Sequence, residues 1–328
     1  PDHTPSENTE TGFEVIFRPT VAPDGTVYLT DNGPSYGGVF IMDPHTKQIT
    51  NFFDGCTYEN GEWKMNGTVV GSGSTGAHIY WTEDGDNKNG FSPDNAKLYL
   101  MHNAHITDDP NGETRGFFVY DLMDISQAPQ YTDLKHFPNQ QDGLQTYVNT
   151  DVTDYSIVGT SRGAWVCQTR NEDKNVISDP SLTFYPNEGD PTIFTNSLDG
   201  GTFDEELIHG SWGSAIAVNK EENLLAMVGG TGNIMLFDIT WNGSVPTLSN
   251  KRDYPIVADD TNTKGIYDIP TITTLNFDYA GNLVATLGET YNDASDKHQV
   301  VIFTLPKTPN HINVPSRYSQ RVPSLVED

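Results

Sequence analysis

Cysteine, positive charge and long apolar runs are what this sequence has little of. Only two cysteines, Cys56 and Cys167, occur in 328 residues. A disulfide framework is therefore excluded, and a chain of this length buries about three quarters of its extended surface without staples. A single bridge would demand Cα atoms within roughly 7 Å, and the apolar frame Ala164, Trp165, Val166 reads Cys167 as a buried core thiol instead. Lys and Arg number 18 against 45 Asp and Glu, a formal net charge of -27 at pH 7. Nucleic-acid binding rests on cations that displace condensed counterions, so DNA, RNA and anionic lipid surfaces are disfavoured as partners. No stretch approaches 18 consecutive apolar residues, so no transmembrane helix is expected. The chain opens with Pro1 and carries no apolar signal region, and is read as a processed, exported chain.

What is present points to strands. Gly 30, Pro 20, Tyr 15 and Phe 15, with many Thr, Asn and Asp, are the residues of short strands joined by tight turns. A turn followed by a short apolar strand recurs at 22–30 (APDGTVYLT), 92–100 (SPDNAKLYL), 219–227 (NKEENLLAM) and 278–286 (DYAGNLVAT). A second apolar strand follows each: 38–42 (GVFIM), 116–120 (GFFVY), 233–237 (NIMLF) and 299–303 (QVVIF). The interval between the second and third copies is about twice the others, and a divergent copy at 160–169 with the strand 181–185 fills it. Such strand-rich units cannot bury both faces alone, so their neighbours must do it.

The expected fold is all-β, a five-bladed β-propeller. Segments 47–52 and 250–254 read as outer strands, and the fifth copy lacks one where a Pro-rich tail begins. Segment 12–17 (GFEVIF) alternates like a strand with no local partner, and is expected to close the ring by joining the last blade. The organisation is a tail at 1–11, a propeller at 12–306 and a Pro-rich tail at 307–328.

The phrases 278–283 (DYAGNL) and 301–307 (VIFTLPK), followed by 313–316 (NVPS), resemble the last blade of secreted or surface-anchored Bacteroidetes propellers. Their blades are similar to the NHL, YncE and SMP-30 kind. The resemblance implies a fold and an extracytoplasmic, secreted or outer-membrane address, the latter as a surface lipoprotein, more firmly than a chemistry.

Innermost propeller strands begin at one face, so residues just ahead of them converge on the channel mouth. Arg18, His78, Arg162, His209 and, in the fifth copy, Tyr267 or Asp268 are the candidate ligand-binding residues. The bland reading is that they satisfy one another. On the loop 102–113 (HNAHITDDPNGE), His102, His105 and Asp108 offer borderline and hard ligands to a divalent cation, although the spacing matches no ligand signature. The segment 83–90 (EDGDNKNG) fails the calcium-loop frame, because Lys88 and Asn89 fall where an oxygen ligand and a glycine are needed. SMP-30-like lactonases hold their ion with acidic and amide side chains, whereas the matching positions here are mostly cationic or histidine, with Asp268 the acidic one. Asp190-Pro191 and Asp179-Pro180 look like the Asp-Pro pairs of five-bladed glycoside hydrolases but fall toward outer strands. No nucleophile elbow, P-loop or HExxH motif occurs. Trp81, Trp165 and Trp212 read as core, while Trp63 and Trp241 read as turn residues that could stack on sugars. The expected function is a non-catalytic binding or assembly module for a protein or glycan partner; the alternative is a glycan- or lactone-active hydrolase using the central funnel.

Overall fold

The computed structural model describes residues 16–22, 24–31, 37–59, 62–72, 77–83, 93–102, 116–133, 155–168, 181–194, 216–228, 234–254, 271–278, 280–288 and 299–305. All regular structure among them is antiparallel sheet. The first sheet is β1 (Ile16–Val21), β2 (Val27–Asp31), β3 (Gly38–Met42) and β4 (Ile49–Asn51). A three-stranded meander follows: β5 (Thr57–Glu59), β6 (Glu62–Met65) and β7 (Thr68–Ser72). The second sheet is β8 (Ala77–Glu83), β9 (Pro93–His102), β10 (Gly116–Asp121) and β11 (Gln130–Asp133). The third is β12 (Tyr155–Gly159), β13 (Gly163–Gln168), β14 (Ser181–Pro186) and β15 (Thr192–Phe194). The fourth is β16 (Ile216–Val218), β17 (Leu224–Val228), β18 (Ile234–Asn242) and β19 (Val245–Tyr254). The fifth holds β20 (Thr271–Phe277), β21 (Leu283–Gly288) and β22 (Gln299–Phe303).

In each of these five sheets the strands lie in chain order, and the first strand packs beside the first strand of the next sheet: β1 on β8, β8 on β12, β12 on β16, β16 on β20. That is the plan of a β-propeller. The core is accordingly split into seams between consecutive sheets. Tyr99, Met101 and Phe117 meet Ile157, Val166 and Tyr185 in one seam. In the next, Trp165 and Phe184 meet Met227, Met235 and Phe237. Beyond it, Ala226, Ile234 and Leu236 meet Leu275, Leu283 and Ala285. The side-chain period of two sends Trp165 to one seam and Ala164 and Val166 to the other. Strands buried on both faces must be apolar throughout, which is why these segments read as continuous apolar runs rather than alternating ones.

Two expectations need correction. Of segment 12–17, the described residues Ile16 and Phe17 lie in β1 and pair with Asp31 and Thr30 of β2, not with the last sheet. Residues 12–15 lie outside the described residues. The register of β1 shifts between Phe17 and Thr20, a bulge that accommodates Pro19, which has no N–H for the ladder, and lets one strand run through where two were expected. Trp63 is not a turn residue: it lies in β6 at 1% exposure, stacked on Phe53 at 5.4 Å, and donates from Nε1 to Gly37 O at 2.8 Å. The meander that carries it caps the seam between the first two sheets, where the Tyr120 hydroxyl donates to Val70 O. Cys56 is a free, half-buried thiol in that seam, so it forms no bridge with Cys167 of β13. Both tails, 1–11 and 307–328, lie outside the described residues. Among the described residues, no helix is long and apolar enough to cross a membrane.

Candidate functional site

Two of the five channel-mouth candidates have described side chains, and they lie in different settings. His78 is the second residue of β8. Its Nδ1 accepts the N–H of Gly159, at the end of β12, at 3.2 Å. Burial holds the imidazole down at about 4, so the ring is neutral and able to accept. The same kind of bond recurs along the innermost strands: Ile79 N donates to Thr20 Oγ1 at 3.2 Å, and Ile216 N donates to Ser156 Oγ at 3.3 Å. One side chain per neighbouring pair thus laces β1 to β8, β8 to β12 and β12 to β16. His78 occupies its hydrogen-bonding capacity at Nδ1 in holding two sheets together.

Arg162 does not precede an innermost strand. The innermost strand of the third sheet is β12, and Arg162 sits in the turn after it, closed by Thr160 N donating to Gly163 O at 2.7 Å. It therefore lies at the opposite end of its sheet from the residues that lead into β12. There it joins a cluster drawn from three sheets. Its guanidinium lies 4.9 Å from the Trp241 ring centroid, Nη1 donates to Gly243 O at 2.7 Å, and Nε is 3.8 Å from Glu222 Oε2. Glu222 accepts from Ser161 N at 2.5 Å and Ser161 Oγ at 2.7 Å, and its carbonyl accepts Trp241 Nε1 at 2.7 Å. Lys220, on the same turn, lies 5.1 Å from the Trp81 ring centroid of β8. Burial, with Glu222 nearby, raises the Tyr80 hydroxyl above its ordinary value, and a hydrogen bond with Ser161 works against that rise. Beneath the turn, Gly159 is required by packing, since a Cβ there would fall 2.1 Å from the Tyr99 ring. The Tyr99 hydroxyl in turn donates to Thr160 O at 3.3 Å.

Glu222 was not legible as a site residue, yet a signal exists. The corresponding turns of the first and fifth sheets close with Gly25 N donating to Ala22 O and Gly281 N to Asp278 O, at φ of 90° and 77°. In the fourth sheet Glu222 N donates to Asn219 O, with Glu222 itself at φ 54°. A side chain in that left-handed position costs about 1–2 kcal/mol. The carboxylate reaching the third sheet offsets it. Trp241, read as a turn residue, lies within β18, half-buried and edge-on to Phe184 at 5.0 Å. One face of its ring is covered by Arg162, which leaves less of it for stacking on a sugar.

The other candidates are placed as follows. Arg18 lies inside β1, at the bulge rather than ahead of the strand; its side chain is outside the described residues. His102 is the last residue of β9, its side chain likewise outside them. His209, Tyr267, Asp268, His105 and Asp108 lie outside the described residues, as do segment 84–92, Asp179 and Trp212. Asp190 is exposed in the turn between β14 and β15. Among the described residues, no group of three metal-ligating side chains converges.

No protein-family model matches the chain. No curated protein matches its sequence. Solved structures with a similar course include the gluconolactonase XC5397 of Xanthomonas campestris, at 11% identity and a TM-score of 0.44, covering 88% of this chain and 76% of that one. The β-propeller domain of Cps50 (Swd1) from Myceliophteria thermophila matches at 10% identity and 0.38, covering 85% and 68%. The extracellular domain of the one-component system BT4673 from B. thetaiotaomicron matches at 14% and 0.39, covering 96% and 30%. None of these TM-scores reaches 0.5, so what those proteins bind or catalyse does not transfer to this chain.

Proposed function

We propose that this chain is a rigid, non-catalytic binding module of the extracytoplasmic kind, presenting the connections at one end of its strands to a protein or glycan partner. The observation that supports this reading is an asymmetry between the two ends of the sheets. At one end the first and second strands of the third, fourth and fifth sheets are joined by tight turns at 160–162, 219–223 and 278–282. At the other, the second and third strands of the second, third and fifth sheets are separated by 103–115, 169–180 and 289–298, and the sheets by 134–154, 195–215 and 255–270, while the fourth sheet keeps a short connection at 229–233. The second sheet departs from this at 84–92. His209, Asp268, His105 and Asp108 all fall in the long connections. Long polar connections on a braced scaffold are where propellers and other rigid folds carry recognition. A net charge of -27 favours a neutral glycan or a basic protein surface over any polyanion.

Calorimetric titration of the purified chain against a panel of neutral polysaccharides and basic proteins tests this reading. His209→Ala and Asp268→Ala weaken binding at least tenfold with the thermal midpoint unchanged. Binding retained in both moves the site away from these connections. Turnover of a glycoside or lactone, lost in Asp268→Ala, replaces the module with the hydrolase. A divalent cation at His102, His105 and Asp108 belongs to the same end, and its presence would be read as a shift of the midpoint between EDTA and calcium or zinc.

A further inference from the structure

The innermost strands β1, β8, β12, β16 and β20 stand in that order around the axis of the fold, each packed on the next. Contacts between neighbouring sheets are what such an array requires. One contact skips a sheet. Lys220 lies in the turn after β16, in the fourth sheet, and its Nζ is 5.1 Å from the ring centroid of Trp81 in β8, in the second. The third sheet stands between them, with Ser161 and Arg162 in the turn that follows its innermost strand. An ammonium within about 6 Å of an indole centroid is held by the quadrupole of the ring.

The route of that side chain follows from its neighbours. Arg162 runs outward from the same region, to Trp241 of β18 and Gly243 just beyond it, on the third strand of the fourth sheet. Lys220 ends on an innermost strand instead, so it passes on the axial side of the turn at 160–162. Both ends of the crossing are fixed. Asn219 is buried and its side chain accepts from Asn223 N at 3.0 Å and Leu224 N at 2.8 Å, while Glu222 is held by Ser161. The Trp81 indole packs from behind on the core between the first and second sheets. Glu221 and Glu222, the carboxylates nearest in sequence, are engaged by Asn219 and by Ser161 and Arg162. Beside this crossing lies a shorter one, in which a hydrogen bond joins Tyr80 of β8 to Ser161. The equivalent turns of the first and fifth sheets have Pro23 and Tyr279 where the fourth has Lys220. Their carboxylates fold back on their own turns, Asp24 onto Thr26 N and Asp278 onto Ala280 N and Asn282 N.

We infer that Lys220 bars the central channel at the tight-turn end, lying across the axis from the fourth sheet to the second with its ammonium seated on Trp81, so that the space between the innermost strands is a cup entered from the long connections alone. A partner then reaches the axis end-on, with a chain terminus or a protruding group, and a linear polymer is not threaded through. The floor of the cup is a cation in a chain of net charge -27, so a group that reaches it meets a hydrogen-bond donor. The inference holds whether or not the long connections bind a partner.

Proton resonances and residue-resolved hydrogen exchange of the full chain test it without a ligand. The Lys220 Cε protons lie upfield of their random-coil position under the indole ring current, and Trp81→Leu returns them to it. No upfield shift, or one that survives Trp81→Leu, overturns the crossing. Three amides bonded across to a neighbouring sheet report on the channel: Gly159, bonded to His78 near the tight-turn end, and Ile79 and Ile216, bonded to Thr20 and Ser156 nearer the other. Lys220→Ala speeds exchange at Gly159 about tenfold and leaves Ile79 and Ile216 unchanged. Exchange at Gly159 that stays slow means that the lysine closes nothing, and a rise at all three means that the sheets loosen as a whole; either overturns the proposal.

Discussion

The seam between the third and fourth sheets and the open side of the fifth use the same kind of strand to opposite ends. Both are short apolar runs whose successive side chains point to opposite faces of the sheet. In the seam, Trp165, Phe184 and Phe237 are fully enclosed, and the turn above is crossed by Glu222, Ser161, Arg162 and Trp241. On β22, Val300 and Ile302 face outward with nothing among the described residues laid over them. Burial is therefore not a property of the strand's composition. It depends on what arrives from the neighbouring sheet, and the seam is stable because neighbours arrive on both sides.

Substitutions grade that contrast. Phe237→Ala removes a fully enclosed ring and costs about 3–5 kcal/mol, against less than about 0.5 kcal/mol for Ile302→Ala, both read by urea denaturation. Equal losses would mean that this face of β22 is covered in solution as fully as the seam.

His78 gives the next effect. Its imidazole is neutral in the folded chain down to about 4, while the unfolded chain takes up a proton near 6.5. Its contribution is whole above about pH 6.5 and is lost as pH falls from there toward 4, amounting to about 3 kcal/mol. His78→Gln keeps an acceptor for Gly159 but cannot titrate, so the gap between the two stability curves changes across that window. Parallel curves would refute the role of the ring.

The smallest effect separates strain from bonding at the turn. Glu222→Ala loses the carboxylate's bonds to Ser161 and keeps the left-handed strain, costing about 2 kcal/mol. Glu222→Gly loses the same bonds and releases about 1 kcal/mol of strain, so it is the more stable of the two. A glycine variant less stable than the alanine one would mean that φ 54° is not a strained position here.

Much of the fold was legible in the sequence because its signals are local. The turn residues at 22–26, 219–223 and 278–282 and the apolar runs after them marked the second strand of each unit, and the spacing located the divergent third copy. The meander at 57–72 was missed because its strands are short and polar, and what makes it a unit is Trp63 seated on Phe53, a contact the sequence does not announce. Arg162 was put at the wrong end because the run at 163–168 was taken for an innermost strand, whereas the strand that precedes it, 155–159, holds that place.

By itself the sequence determined the all-β class, the repeat frame and the identity of most strands, since a period of two and the chemistry of turns act over a few residues. Only the tertiary structure decided which candidates are braces. His78 is a lace between β8 and β12, and Arg162 and Glu222 a clasp across the third and fourth sheets, because each role depends on a backbone amide or ring contributed by another sheet, dozens of residues away along the chain.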